Sequence, residues 1–465
     1  MDSSMTQRVL PIALAGILSL GSSSLFADSL SGIYELALRN DATLKAAQAT
    51  YRANLETENI ARAALLPQIS GNVRYSQNDT ELNQGPNPTR GSGPLNLDID
   101  TDTTAYGLSL SQAIFDLPSW FTFESGKMTS KQAQAQFAAD QQDLIIRTAQ
   151  SYFSVLRSYE NLEAAQAEER AAKRQLEQTQ QRFDVGLIAI TDVHEARAVY
   201  DNTVAQRLSF EANLGTAYEA LSVLTGQSHT TISRLNEDFP ISDPVPSDRA
   251  EWVDFALKSN LQLRAALYRM QSSHKNAEAK KWEHLPSLSG SVNYSDSDAD
   301  NTYSAAAGSF TANDTTESTV FQVDLSVPIF SGGGVSAVRR QAYEQYNAAL
   351  QQKINTQRQV VQQTRSLHLT VATDVQRVKA RKQNIVSAQS ALDATKAGYE
   401  VGTRNIVDVL QSQRSLFAAI RDYANARFDY VINMLKLKQQ AGTLSPDDIY
   451  NLDKWLVAAQ AEKNL

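Results

Sequence analysis

The sequence contains no cysteine. It therefore has no disulfide, no thiolate metal site, no catalytic thiol and no lipidated N-terminal cysteine. Its 5 histidines supply metal chemistry poorly. His194-Glu195-Ala196-Arg197-Ala198 begins like a zinc-protease motif but lacks the second histidine, and His229, His274, His284 and His368 show no ligand spacing. There is no excess of positive charge: Lys+Arg is 43 against Asp+Glu 51, a net charge of −8, so no nucleic-acid partner is implied. Long hydrophobic runs are missing beyond the N-terminus, and the mean hydropathy of −0.36 excludes a polytopic helical membrane protein. Ser331-Gly332-Gly333-Gly334 is not a phosphate loop, because no Lys-Ser/Thr follows it. Neither an enzyme nor a metal or cofactor site is expected.

What is present begins with an export signal. Arg8 precedes the apolar stretch Val9–Leu20, and small residues follow up to Ala27. The stretch is too short to span a bilayer and fits a removable signal over 1–27, although Leu25 departs from the small-residue pattern at minus three.

The remainder reads as a tandem repeat. Leu66-Pro67-Gln68-Ile69-Ser70-Gly71 answers to Leu285-Pro286-Ser287-Leu288-Ser289-Gly290, Leu110-Ser111 with Ile114-Phe115 to Leu325-Ser326 with Ile329-Phe330, and Phe183-Asp184-Val185-Gly186 to Tyr399-Glu400-Val401-Gly402. Landmarks in one order at nearly one offset indicate duplication. The first repeat is 28–226, with helix 30–66, strands 67–76 and 104–115, a long helix 118–184 and helix 190–226. Pro240, Pro244 and Pro246 mark 227–247 as a linker. The second repeat is 248–442, with helix 248–284, strands 286–295 and 319–330, a long helix 333–399 and helix 406–441. A C-terminal segment, 443–465, follows.

The strands alternate with period two: Ile69, Gly71, Val73 and Tyr75 oppose Gln68, Ser70, Asn72 and Arg74. Each is about 10 residues, the length of a tilted transmembrane strand. The polar segments 77–103 and 297–318 read as long surface loops. Taken alone, the strands equally fit two half-buried hairpins of a soluble domain. The long helices tilt the balance, since about 65 helical residues make a rod of about 100 Å. Apolar positions step by four and three in the long helix 118–184, as in Ile145, Ala149, Tyr152, Leu156 and Tyr159, and again in helix 406–441, as in Leu416, Ile420, Tyr423, Arg427, Tyr430, Met434 and Leu437, with Arg427 interrupting; this is coiled-coil spacing. Four strands cannot close a barrel, and lipid does not tolerate an open edge. Two chains would give eight strands around a filled interior, three would give twelve around a pore. A periplasmic coiled-coil adaptor or structural protein is the alternative. It explains the helices but not four amphipathic strands.

The combination resembles the TolC-like outer-membrane efflux channels. Gln181-Arg182-Phe183-Asp184-Val185-Gly186-Leu187-Ile188-Ala189-Ile190-Thr191-Asp192-Val193 and Ala397-Gly398-Tyr399-Glu400-Val401-Gly402-Thr403-Arg404-Asn405-Ile406-Val407-Asp408-Val409-Leu410 carry the resemblance most specifically. It implies an α+β membrane protein: a homotrimer with a 12-stranded transmembrane β-barrel in the outer membrane, a 12-helix α-barrel across the periplasm, and an equatorial belt from 227–247 and 443–465. It implies an exit duct for drugs or secreted proteins, as in efflux pumps and type I secretion. The expected partners are outer-membrane lipid, a periplasmic adaptor, and an inner-membrane pump or ABC exporter. By the same resemblance, Val185, Gly186, Leu187, Thr191, Val401, Gly402 and Thr403 form the adaptor-docking surface. Thr191, Asp192, Tyr399 and Arg404 form a latch that shuts the periplasmic end, with Arg404 reaching Asp192 or Thr191 and Tyr399 donating to the same acid. Asp408 rings the narrowest point. Close family members carry a second acid three residues on, where this chain has Gln411, so a weaker ring is expected.

Overall fold

The computed structural model describes residues 28–85 and 95–457. The expected signal 1–27, part of the first expected loop, and the last residues of the C-terminal segment lie outside the described residues. The chain order is α1 (Leu30–Asn40), α2 (Ala42–Ala63), β1 (Gln68–Gln84), β2 (Leu95–Phe115), α3 (Leu117–Asp184), α4 (Ile190–Thr225), β3 (Arg234–Leu235), α5 (Arg249–Ser259), α6 (Leu261–Lys281), β4 (Ser287–Ala305), β5 (Gly308–Ser326), α7 (Gly334–Glu400), α8 (Ile406–Ala441), α9 (Pro446–Asp453) and β6 (Leu456–Val457).

Two expected single helices are each broken in two. Asp41, in extended backbone at ψ 116°, ends α1 and caps α2 by accepting the Leu44 amide at 2.9 Å. Asn260, at ψ 123°, does the same between α5 and α6, accepting the Leu263 amide at 2.9 Å. A short polar side chain satisfies an orphan amide of the new helix while the chain changes direction. Each break is tied to the end of a later helix: Asn40 donates to the Thr225 carbonyl at 2.7 Å, and Asn260 to the Gln440 carbonyl at 2.9 Å.

The strands form one antiparallel sheet in the order β1-β2-β4-β5. They are much longer than expected. The segment 297–318, expected as a loop, is strand apart from the two-residue turn between Ala305 and Gly308, and β1 and β2 continue through 77–84 and 95–103. Those segments pair with an unbroken register, so their alternation is real although its apolar face is no longer the one used lower down. The last strand ends at Ser326, short of the expected 330.

The continuous helices α3 and α7, of 68 and 67 residues, run the whole length of the helical part. On the strand side of its middle the packing order is α2-α3-α6-α7; on the other side it is α4-α3-α8-α7. Four staves are thus maintained at both levels. The main apolar core sits at the middle, where α1, α3, α4, α8 and α9 meet. Tyr152, fully buried, donates to the Ser233 carbonyl at 2.6 Å, and Phe153 packs on Phe428 at 5.6 Å. The linker and the C-terminal segment join here through β3 and β6. Arg427, which interrupts the coiled-coil stripe, is buried and donates to the Asn236 carbonyl of the linker, so the interruption is an anchor. Among the described residues no helix is long and apolar enough to cross a membrane.

Candidate functional site

Both Val-Gly motifs lie at helix–turn–helix tips, far from the strands along α3 and α7. The first tip turns on Gly186 at φ 77°, whose amide donates to Phe183 O at 2.8 Å while the Leu187 amide donates to Arg182 O at 2.9 Å. The second turns on Gly402 at φ 79°, with the Thr403 amide donating to Gly398 O at 2.8 Å. This left-handed conformation closes the last helical carbonyls and is the one that glycine alone adopts without cost. In the first repeat the cap of α4 is Ala189, with no side-chain hydrogen bond, and Thr191 and Asp192 lie in its first turn. In the second repeat Asn405 is the cap and accepts the Asp408 amide at 2.8 Å.

The tips present apolar side chains to solvent. Val185, Leu187 and Val401 are 70%, 71% and 75% exposed, and Gly186, Thr191, Gly402 and Thr403 are exposed around them.

The expected latch residues are not brought together within one chain. Arg404, largely solvated, approaches the half-buried Asp408 at 3.7 Å. Neither Thr191 nor Asp192 shares a hydrogen bond or ion pair with it among the described residues. The packing order explains this: α4 and α7 are the outer members of the four staves, with α3 and α8 between them. Tyr399 instead lies under Arg182, whose guanidinium carbon sits 4.9 Å from the ring centroid. The Tyr399 hydroxyl is buried and has no hydrogen-bond partner among the described residues. Arg182 was visible in the first motif, but nothing in the sequence pointed it at the second. Around this contact, α3, α7 and α8 leave a groove of about 690 Å³ lined by Arg174, Gln178, Arg182, Lys396 and Glu400. Asp408 is half-buried and Gln411 exposed one turn on, both on α8.

The comparisons with known proteins agree with this architecture. The family model described as outer membrane efflux protein matches residues 33–227 and 252–443. The chain is similar to the outer membrane protein TolC of Vibrio cholerae, with 36% identity across 98% of this chain and 100% of that one. It is also similar to the alkaline protease secretion protein AprF of Pseudomonas aeruginosa, with 26% identity across 96% of this chain and 91% of that one. Among solved structures, the Campylobacter jejuni CmeC outer membrane channel superimposes with a TM-score of 0.72 at 18% identity, covering 97% of this chain and 98% of that one. The outer membrane efflux protein model spans most of the chain, and the adaptor alternative is set aside. The chain belongs to the outer membrane efflux protein family, an outer-membrane exit duct for efflux or secretion whose long helical part extends into the periplasm.

Proposed function

We propose that three copies of this chain form the duct and that its periplasmic end is shut by contacts between neighbouring chains. The supporting observation is the stave order α4-α3-α8-α7. In a ring of identical protomers, α7 of one chain meets α4 of the next. Arg404, in the turn that follows α7, then faces Thr191 and Asp192, at the start of α4, while Tyr399 stays packed under Arg182 of its own chain. The latch residues that are apart within a chain become neighbours between chains. Arg404 can fork onto the Asp192 carboxylate and a nearby oxygen. The sheet supports the same assembly: β1 and β5 each have one unpaired edge, and edge pairing around three sheets closes twelve strands.

Three copies of Asp408 then ring the axis, and with Gln411 beside them the ring is a single one that attracts cations weakly. The exposed Val185, Leu187 and Val401 are the docking surface for the helical hairpins of a periplasmic adaptor that joins the duct to an inner-membrane pump or exporter. The relatives' names point to efflux and to protease secretion, and the duct serves as a passive exit for either class of cargo.

The test uses the absence of native cysteine. An Asp192→Cys/Arg404→Cys variant, oxidised in intact cells, should link chain to chain and give dimers and trimers on non-reducing gels. Linkage confined to single chains would contradict the intersubunit latch.

A further inference from the structure

We propose that three ion pairs at one height brace the four staves of each chain and set the fulcrum about which the periplasmic end opens. The proposal rests on the trimeric, latched reading above. Arg207 of α4 donates to Glu169 of α3 at 2.6 Å, Arg421 of α8 donates to Glu168 of α3 at 2.8 Å, and Arg381 of α7 lies 2.9 Å from Asp422 of α8. Glu168 and Glu169 are consecutive, and so are Arg421 and Asp422. The three pairs therefore run on from one another in the order of the staves, α4-α3-α8-α7. The Arg421 guanidinium carbon also sits 5.9 Å from the ring centroid of Phe210, on α4. The central tie holds hardest, because Glu168 is 4% exposed and a buried carboxylate is costly to leave without its partner. The outer two are partly solvated and weaker.

The packing differs on the two sides of this level. Between the brace and the belt, the seam of α3 and α8 is closed: Arg157 pairs with Asp429 at 2.5 Å, and Phe153 packs on Phe428. Toward the tips, no hydrogen bond or ion pair among the described residues joins α3 or α4 to α7 or α8, and the groove lined by Arg174, Gln178, Arg182, Lys396 and Glu400 opens between them. Arg182 laid over Tyr399 crosses it. Each hairpin meanwhile keeps its own packing. Leu392, Val409 and Leu416 cluster between α7 and α8, and α3 and α4 bury Ala172, Val193 and Ala196. Two internally packed hairpins, tied at one level and separated by a groove beyond it, are two arms on a pivot. Each arm is about 15 to 20 residues long, roughly 25 Å of helix.

The duplication indicates that the brace is not continued between chains. The repeats align Gly186 with Gly402 and Gly226 with Gly442. That alignment puts Asn384 and Ala205 where Glu168 and Arg421 stand, and Thr373 and Asn213 where Arg157 and Asp429 stand. The seam of α7 with α4 of the next chain thus lacks the charged ties of its internal counterpart and depends on Arg404 and Asp192 at the tip. Releasing that latch frees the arms below the brace, while the staves of each chain stay joined above it.

The test records purified full-length trimers in planar bilayers, in an Arg404→Ser background, with added cysteine pairs closed by bismaleimides of graded length. Arg157→Cys/Asp429→Cys links α3 to α8 above the brace, and Gln178→Cys/Lys396→Cys links α3 to α7 across the groove below it. The lower link should cancel the conductance gained by Arg404→Ser, and the upper link should leave the gain intact. An upper link that cancels the gain as fully as the lower one, or a lower link that leaves it untouched, would overturn the fulcrum and leave the latch standing. No gain from Arg404→Ser itself would overturn both. Hydrogen exchange of the native trimer supplies a reading that needs no variant. Amides of 169–180 and 411–420 should exchange at least about tenfold faster than those of 157–167 and 422–429. The step lies about four turns from the tips, farther than a helix end frays. A smooth gradient along the helices contradicts the brace. In Arg421→Gln the fast segment should extend up to Arg157 and Asp429, and an unmoved step in that variant contradicts the brace as well.

Discussion

Replacing Asp41 should destabilise the junction of α1 and α2 in steps that separate its two roles. The residue is 4% exposed, and its Oδ2 accepts the Leu44 amide at 2.9 Å. Arg147 grips both carboxylate oxygens, at 3.2 and 2.8 Å. Loss of the cap costs about 1 kcal/mol. Loss of the ion pair costs less than a fully buried pair would, because Arg147 is 29% exposed and keeps Asp143 at 2.8 Å; about 1–2 kcal/mol is a fair figure. Asp41→Ala should therefore cost roughly 2–3 kcal/mol per protomer, and Asp41→Asn, which keeps the cap and loses only the ion pair, about 1–2 kcal/mol. Burial alone would push the Asp41 carboxyl up, but the Arg147 guanidinium and the Leu44 and Thr43 amides outweigh it and hold the group below the usual carboxylate range. A lowered folded value means that the stabilisation is complete at neutral pH and is lost as the pH falls through that value. Thermal melting of the helices, followed by circular dichroism in detergent, should show the native protein above Asp41→Asn near neutral pH and the gap closing in acid. A gap that stays constant or widens on acidification, or an Asp41→Ala protein that melts with the native one, would refute the reasoning.

Arg421→Met should cost about 3–5 kcal/mol, because it leaves Glu168, 4% exposed and 2.8 Å from the guanidinium, buried without a partner; adding Glu168→Leu should recover most of the loss in the same melts. Gly442→Ala should lower the melting temperature, since the residue sits at φ 73° and a Cβ there would collide with the Ser259 carbonyl at the break between α5 and α6. Asp408→Asn should reduce cation preference and block by multivalent cations in bilayer recordings, and unchanged block would count against an acidic ring at this position.

The two long helices and the tips were legible in the sequence because their signals are local. Long runs of good helix formers with no proline after Pro118 and little glycine define α3 and α7, and a Val-Gly turn names its own geometry. The breaks at Asp41 and Asn260 were less visible. A single Asp or Asn inside a periodic run is compatible with a continuous helix, and the cue is only an amide acceptor three residues before an apolar one, Leu44 or Leu263. The upper halves of the strands were missed for a different reason. Their polar composition suggested loop, although Leu97 and Ile99 alternate with Asp98 and Asp100 as strictly as Ile69 and Val73 alternate with Ser70 and Asn72. The period was intact and its phase relative to the membrane was inverted. At the tips, Arg404 and Asp192 were picked out by motif, but their separation within one chain follows from the stave order, which sequence spacing does not encode.

The most direct test of the central claim is single-channel recording of the purified protein in a planar bilayer, beside its Arg404→Ser variant. A trimeric duct shut at its periplasmic end should insert and give small, stable, cation-preferring steps, and the variant should give larger ones. Failure of the folded protein to insert would contradict the membrane barrel, and identical conductance in the variant would contradict the latch.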